Sequence, residues 1–459
     1  MYKIDFNQPL NVHFIGIGGI SMSGLAEILH KRNFRISGSD WAASIITEKL
    51  EKSGMKIAIG HRPTNIADDT QLVIYTAAVK EDNVEYIEAK KKNIPLMDRA
   101  TLLGQMMRNY EYPICVSGTH GKTTTTSMVS HILLSAETDP TISIGGILDV
   151  IDGNIRVGKS DYFLAESCEY CDSFLKFYPY IGIILNVEAD HLDYFKDIHH
   201  VRRSFHAFAG RVPDEGYLVI NGEIDNYEAL IEGLTCQIMT YGCDPSFDFS
   251  ADNIRYNDMG NPSYDFYHKG KKIREVHLQV NGIHNVYNSL SAIATGFALG
   301  LDIEAICLGL YNFTGTQRRF EYKGDVRGVH VIDDYAHHPT EIETTLTAAN
   351  KYPHDKLWVV FQPHTYTRTK ALLKEFATSL CLADHVVLTD IYAAREKDTG
   401  DIHAKDLLSE LTKLGKEAHY FSSFDEIEIF LLQNCYPNDL LITMGAGDVR
   451  IIGEELIKG

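Results

Sequence analysis

The stretch Cys115-Val-Ser-Gly-Thr-His-Gly-Lys-Thr-Thr-Thr-Thr126 decides the reading of this chain. The apolar run Pro113 to Val116 reads as a buried strand and Lys122 to Ser135 as a helix, which makes Gly118 to Gly121 the turn between them. Backbone N–H groups at such a helix start face an anion. Lys122 is placed to bridge the outer phosphates of a nucleoside triphosphate and the Thr123 hydroxyl to ligate magnesium, the roles of the last two positions of the general phosphate-loop pattern. That pattern sets four residues between its glycines. Here only Thr119 and His120 separate Gly118 from Gly121. The shorter form is rarer and more diagnostic. Gly118, Thr119, His120, Gly121, Lys122, Thr123 and Thr124 are the candidate ATP cradle.

Working outward, 459 residues exceed one ordinary core, and about three domains is the expectation. The chain is 44% hydrophobic and 23% charged, the composition of a globular protein. A net charge of -19 argues against nucleic acid or an anionic membrane as a partner, since both require basic surface. Anionic substrates must then be held by local donors. The opening Met1-Tyr-Lys-Ile-Asp-Phe6 lacks the apolar core of a signal peptide, and no run of about eighteen apolar residues occurs, so a cytoplasmic protein is expected. The eight cysteines are scattered, which suggests reduced thiols. Cys168-Glu-Tyr-Cys171 has metal-like spacing, but no second pair completes a structural zinc site.

The chain reads as three α/β blocks. The first opens with the strand Val12 to Ile15, the turn Gly16-Ile-Gly-Gly19, a helix through about Arg32, and a second strand ending at Ser37-Gly-Ser-Asp40. Ser21 stands where a dinucleotide fingerprint has its last glycine, so the turn is a weak oxidoreductase signal. It still presents donors suited to a diphosphate. Ser39 and Asp40 end the second strand within reach of a ribose.

In the second block, Ala165-Glu-Ser-Cys-Glu169 follows the strand Tyr162 to Leu164, and Glu188-Ala-Asp-His-Leu-Asp193 follows an apolar run, Ile181 to Val187, that reads as a long buried strand. Carboxylates and an imidazole just past strand ends sit where parallel sheets bind ligands. Glu166 and His191 are candidates to hold magnesium (manganese is an alternative) beside Thr123. Glu169, Asp190 and Asp193 are candidates for supporting hydrogen bonds. His199-His200 reads as a solvated surface pair. Asn281-Gly-Ile-His-Asn-Val-Tyr-Asn288 precedes an alanine-rich helix expected from Ser289 to Leu299. Asn285 and Asn288 either cap that helix or offer amides to an adenine edge; both readings stand.

The third block follows Gly315-Thr-Gln-Arg-Arg-Phe320 and contains Val331-Ile-Asp-Asp-Tyr-Ala-His-His-Pro339, Trp358-Val-Val-Phe-Gln-Pro-His364 and Leu440-Leu-Ile-Thr-Met-Gly-Ala-Gly447. Alternating strands and helices imply another doubly wound sheet. Arg318 and Arg319 are candidates to clamp a transferring phosphate, and Arg368 a carboxylate.

These motifs together resemble the Mur ligase family over the whole chain. The resemblance implies an amino-terminal Rossmann-like UDP-sugar domain (1–109), a central P-loop ATPase domain (110–317) and a carboxy-terminal Rossmann-like domain (318–459) that closes over ATP and the amino acid. Sites carried on different domains must meet, and Gly315 to Gly324 is the candidate hinge. The resemblance also implies that Gly16, Gly18, Gly19, Ser39, Asp40 and His61 bind the UDP-sugar, that Asn285, Asn288, Arg319 and Asp334 join the ATP cradle, and that His337, His364 and Arg368 bind the amino acid. Lys122, Glu166, His191 and Arg319 become the catalytic set. The implied reaction joins L-alanine to the lactyl carboxylate of UDP-N-acetylmuramate through an acyl phosphate, giving ADP and phosphate, by a monomer or weak homodimer. Two departures stand out. His206 falls about where several relatives carry a carbamylated lysine, so no carbamylation is expected, and Thr365 replaces an arginine after Phe-Gln-Pro-His. Within the family, a ligase attaching a recycled peptide to the same UDP-sugar differs in its preferred amine. A nicotinamide-dependent dehydrogenase would explain the first glycine turn but not the P-loop.

Overall fold

The computed structural model describes residues 3–76, 78–191, 194–394 and 396–458. The chain packs into two compact units, Met1–Tyr241 with Ser291–Gly309, and Gly242–Leu290 with Leu310–Gly459.

The first unit carries two sheets. β1 (Asn11–Ile15), β2 (Arg35–Asp40), β3 (Lys56–Ile59), β4 (Leu72–Tyr75) and β5 (Leu96–Asp98) form a parallel sheet of order β3-β2-β1-β4-β5. The order reverses at β1, and β1 runs directly into Gly16–Gly19. A ligand crevice opens at such a switch point. Strand β1 is buried from Val12 to Ile15, polar His13 included, as in a parallel sheet covered on both faces.

The second sheet contains β6 (Tyr112–Ser117), β7 (Thr141–Leu148), β8 (Gly153–Arg156), β9 (Tyr162–Glu166), β10 (Ile181–Ile184), β11 (Tyr217–Asn221) and β12 (Gln237–Gly242), ordered β12-β11-β10-β6-β9-β7-β8. β6 lies between β9 and β10, parallel to both. The two sheets share one core through Tyr110, whose ring lies 5.8 Å from Phe6 and 4.8 Å from Phe163. β10 is shorter than its apolar run Ile181 to Val187 suggests. After Leu185 donates to Ser117 O at 3.0 Å, the chain leaves the sheet and Asn186 turns toward the glycine loop.

In the second unit, β13 (Phe249–Tyr256), β14 (Pro262–His268) and β15 (Lys271–His277) form an antiparallel meander that the sequence reading did not anticipate. Its signal is the alternation of Tyr264 and Phe266, both fully buried, ahead of the Lys269-Gly270 turn. The helix Ile283–Ala298 begins six residues ahead of the expected Ser289. A further sheet is formed by β16 (Glu321–Val326), β17 (Val329–Asp334), β18 (Leu357–Phe361), β19 (His385–Leu388), β20 (Ala418–Tyr420) and β21 (Leu440–Met444), ordered β16-β17-β21-β18-β19-β20 and parallel except at β16. β17, β21 and β18 are neighbours, so the chain segments beyond their ends converge. Among the described residues no helix is long and apolar enough to cross a membrane.

Candidate active site

Three adjacent strand ends build the phosphate loop. β6 supplies Gly118 to Thr123, β9 ends at Glu166, and Asn186 follows β10. Gly121 caps the helix Lys122–Ser135 at φ +81°, a left-handed conformation natural to glycine. The loop is pinned from the side by Asn186: its carbonyl accepts from Thr119 N at 3.2 Å, its Oδ1 from His120 N at 2.8 Å, and its Nδ2 donates to His120 O at 3.1 Å. Thr119 Oγ1 accepts from Glu188 N at 2.9 Å.

Lys122 Nζ donates to Gly118 O at 2.5 Å and Thr119 O at 2.9 Å, and pairs with Glu169 Oε2 at 3.0 Å. Burial alone would lower its pKa; Glu169 foremost, with Cys168 and Glu166 nearby, outweighs that and raises it, so the ammonium is held charged. Glu169 is buried against the lysine, a closer engagement than the supporting hydrogen bond its place in the sequence suggests. Its position is set by packing: the following short 3-10 segment, Tyr170–Lys176, buries Phe174 completely, stacked on Phe208 at 4.8 Å.

Of the candidate metal ligands, Thr123 Oγ1 donates to Glu166 Oε2 at 2.9 Å, and that oxygen also accepts from Gly145 N at 2.8 Å. His191 stands against Glu169 Oε1 at 3.7 Å and Asp190 Oδ2 at 3.8 Å, its ring 4.7 Å from Tyr170. The set is thus two groups, Thr123 with Glu166 and His191 with Glu169 and Asp190. A hydroxyl and carboxylates with one imidazole are donors that a hard divalent cation takes. Asp193 lies outside the described residues. His206 Nδ1 lies 3.0 Å from Leu230 O.

At the first sheet, Gly16 N and Ile17 N donate to Ser39 O at 2.8 and 3.0 Å. Gly18 N donates to Asp40 Oδ2 at 2.7 Å, and a β-carbon on Gly18 would lie 2.8 Å from that same oxygen. Gly19 begins the helix Ile20–Lys31 as its N-cap. Gly19 N donates to Gly16 O at 3.3 Å and Ser39 Oγ lies 3.1 Å from His61 Nδ1, so five of the six expected UDP-sugar residues, Gly16, Gly18, Gly19, Ser39 and Asp40, are tied by hydrogen bonds into one turn, and His61 adjoins it.

In the second unit, Arg318 and Phe320 hold φ of +62° and +49°, strained for residues with side chains, and so turn Arg319 between them. The kink is held by Asp334, whose Oδ2 accepts from Phe320 N and Oδ1 from Ala336 N, at 2.8 and 2.7 Å. Asp334 is buried, which raises its pKa to about 6 despite Arg319 and those two N–H groups. Arg318 pairs with Asp333 at 3.0 Å and donates to Gly445 O at 2.8 Å. Arg319 lies 5.4 Å over the Tyr335 ring and 3.8 Å from Glu341. Asn285 and Asn288 lie inside the helix, not at its cap. Asn288 Nδ2 donates to Asn285 Oδ1 at 3.1 Å, and Asn285 Nδ2 to Asn281 O at 2.7 Å. His284, unremarked from sequence, is half-buried and has its pKa lowered to about 4 by desolvation and then by Arg319.

The expected amino-acid residues gather together. His337 and His364 rings are 5.6 Å apart, and Arg368 Nη1 lies 3.3 Å from His364 Nδ1. Burial lowers both histidines to about 4, with Arg368 adding to the effect. Both are neutral at physiological pH.

Comparison with known proteins agrees along the full length. The patterns described as "Mur ligase family, catalytic domain", "Mur ligase middle domain" and "Mur ligase, glutamate ligase domain" match residues 11–111, 116–296 and 318–447. A UDP-N-acetylmuramate–L-alanine ligase of Agathobacter rectalis is 57% identical over 458 residues, covering all of both chains. The crystal structure of the UDP-N-acetylmuramate-alanine ligase of Thermotoga maritima has a TM-score of 0.80 at 30% identity, covering 98% of each chain. A murein peptide ligase of Psychrobacter arcticus has a TM-score of 0.70 at 26% identity, also over 98% of each.

Proposed function

Because this chain belongs to the Mur ligase family, we infer that it uses ATP to join L-alanine to the lactyl carboxylate of UDP-N-acetylmuramate, a step in making peptidoglycan precursor. The observation that carries this reading is the 57% identity, over both full lengths, to a protein named for that reaction. The murein peptide ligase is 26% identical, which favours alanine over a recycled peptide as the amine.

A carboxylate acylates poorly until one oxygen becomes a leaving group. The lactyl carboxylate attacks the γ-phosphate of ATP, and the alanine amine then attacks the acyl phosphate, releasing phosphate as the amide forms. Two anions must meet in the first step. Lys122, charged within its carboxylate surroundings, and Arg319 are proposed to screen that repulsion and stabilise the equatorial oxygens of the transferring phosphoryl group. Thr123, Glu166 and His191 would hold magnesium, which supplies positive charge to the outer phosphates. Gly118 to Thr124, with Asn285, Asn288 and Asp334, are assigned to ATP. Gly16, Gly18, Gly19, Ser39, Asp40 and His61 are assigned to the UDP-sugar.

His337, His364 and Arg368 are assigned to alanine. Arg368 offers its planar fork to the carboxylate. With pKa values of about 4, the two histidines do not repel the incoming ammonium and are too weak to deprotonate it, so solvent takes that proton. We place the reaction in the cytoplasm, consistent with eight free cysteines, and carry it in a monomer or weak homodimer.

The test is ADP release with ATP, magnesium and UDP-N-acetylmuramate, with L-alanine, a tripeptide or no amine, and mass spectrometry of the product. Alanine-dependent formation of the monopeptide is expected. Turnover only with the tripeptide moves the chain to peptide recycling.

A further inference from the structure

Beside the glycine turn of the first sheet lies a buried carboxylate, Glu85, that the assignments above leave unused. Glu85, in the first turn of the helix Val84–Lys91, is 0% exposed. Its Oε1 accepts from Arg62 N at 3.1 Å and Asn65 Nδ2 at 2.5 Å. Its Oε2 accepts from Ser39 Oγ at 2.5 Å and faces His13 Nε2 at 3.4 Å and His61 Nδ1 at 3.5 Å. Burial raises the Glu85 pKa, but donors from His13, Ser39 and Asn65 outweigh it and hold the group at about 2. The carboxylate is therefore an anion at working pH, able only to accept.

That anion fixes the direction of the bonds leading away from it. Ser39 has one hydroxyl proton and gives it to Glu85, so toward His61 its oxygen accepts. His61 Nδ1 lies 3.1 Å from that oxygen and 3.5 Å from the carboxylate, and so carries the ring proton. A neutral imidazole has one N–H, which makes Nε2 an acceptor. Nε2 has no hydrogen-bond partner among the described residues, and the side chain is 18% exposed. Beside it, 6.4 Å away, stands the ring of Trp41, 81% exposed and next in sequence to Asp40. A planar surface and an oriented acceptor thus adjoin the turn.

We propose that Glu85, acting through Ser39 and His61, sets the base selectivity of the sugar-nucleotide site: His61 Nε2 accepts the N3–H of uracil. Cytosine presents a lone pair at N3, which would oppose that of Nε2. Glu85 is a positioning residue and touches no ligand. The proposal rests on the assignment of this region to the UDP-sugar.

The experiment is calorimetric binding of UDP, CDP and N3-methyl-UDP to the full chain at pH 8. Wild type is expected to bind UDP at least about tenfold more tightly than either analogue. In Glu85→Gln, the Arg62 N–H cannot turn, so the amide oxygen stays on that side and the NH2 faces Ser39. The hydroxyl then reverses, the His61 proton moves to Nε2, and preference passes to CDP. His61→Gln, at a partly exposed position, presents either an oxygen or an NH2 and brings UDP and CDP within about threefold. Equal binding of UDP and N3-methyl-UDP by wild type overturns the proposal, as does a wild-type UDP to CDP ratio in His61→Gln or in a folded Glu85→Gln. If thermal melting shows Glu85→Gln unfolded, His61→Gln decides. Failure of wild type to bind UDP while ATP still binds removes the sugar-nucleotide assignment itself.

Discussion

Two glycine turns in the first unit use the same backbone device for different ends. Gly16–Gly19 joins β1 to the helix Ile20–Lys31, and Gly118–Gly121 joins β6 to the helix Lys122–Ser135. In the first, the turn is closed by its own neighbour strand: Ser39 O takes two N–H groups and the Asp40 carboxylate a third, and the following helix opens with no charged residue. In the second, the uncharged Asn186 pins the loop, and a lysine with a buried carboxylate partner opens the helix. On the roles proposed for them, a shared turn becomes a grip or a catalytic loop according to what the adjacent strand ends deliver.

The comparison breaks most visibly at Lys122. Lys122→Met is expected to cut kcat about a thousandfold while sparing UDP binding. It also leaves Glu169 buried without its cation, a cost of about 3 kcal/mol that urea unfolding would read. Glu166→Gln follows, with kcat down about a hundredfold and the magnesium needed for half-maximal rate raised, since the oxygen proposed to hold the metal loses its charge. Equal activity of either variant and wild type in the ADP-release assay would remove the central turn's assigned role. Gly18→Ala probes the other side. Its new carbon would lie 2.8 Å from Asp40 Oδ2 and 3.0 Å from Thr47 Cγ2, prising the turn from its strand. The KM for UDP-N-acetylmuramate should rise about thirtyfold with kcat little changed. A fall in kcat with KM intact would show that the two turns are not divided as described.

Sequence made the central turn legible because its signal is local. Gly121, Lys122 and Thr123 are consecutive, and the helix Lys122–Ser135 has the limits its composition suggested. What escaped was non-local. Glu169 is 47 positions from the lysine it neutralises, and Glu85 is 46 from Ser39, so no spacing rule connects them. Asn186 was hidden inside an apolar run, where a strand was expected to continue. Arg319 was visible as half of an arginine pair, but its separation from Arg318 depends on two left-handed residues that only the fold imposes. The meander β13 to β15 was missed because its alternation is interrupted by bulges at Asp252/Arg255 and Phe266/Tyr267.

A third strand-to-helix turn sharpens the rule, since it manages without glycine. Gln362-Pro-His364-Thr365 leads from β18 into the helix Tyr366–Ala371, with Thr365 at φ +66°. Here the group proposed to meet ligand is a side chain, Arg368. Arg368→Ala should raise the KM for alanine about tenfold and leave that for ATP unchanged; equal rises in both would remove its assignment.

The smallest expected effect lies in stability, where two buried carboxylates oppose each other. Glu85 receives side-chain donors on both oxygens and its pKa falls to about 2; Asp334 receives two backbone N–H groups, and burial prevails at about 6. For Glu85, depressed below its unfolded value, the contribution is complete above pH ~4.5 and lost as pH falls toward 2. Asp334 has the reverse sign. Raised above its unfolded value, it favours the native state most below pH ~4, and that contribution disappears as pH rises through 6. His337 and His364 act against it, because bases depressed to about 4 stabilise the fold increasingly as pH rises from 4 to ~6.5. Asp334→Asn removes only the opposing slope. Its urea-unfolding free energy should therefore climb more steeply than wild type between pH 4 and 6, by about 2 kcal/mol over that window. Parallel curves would mean that Asp334 is ionised throughout, held so by Arg319 more strongly than burial resists.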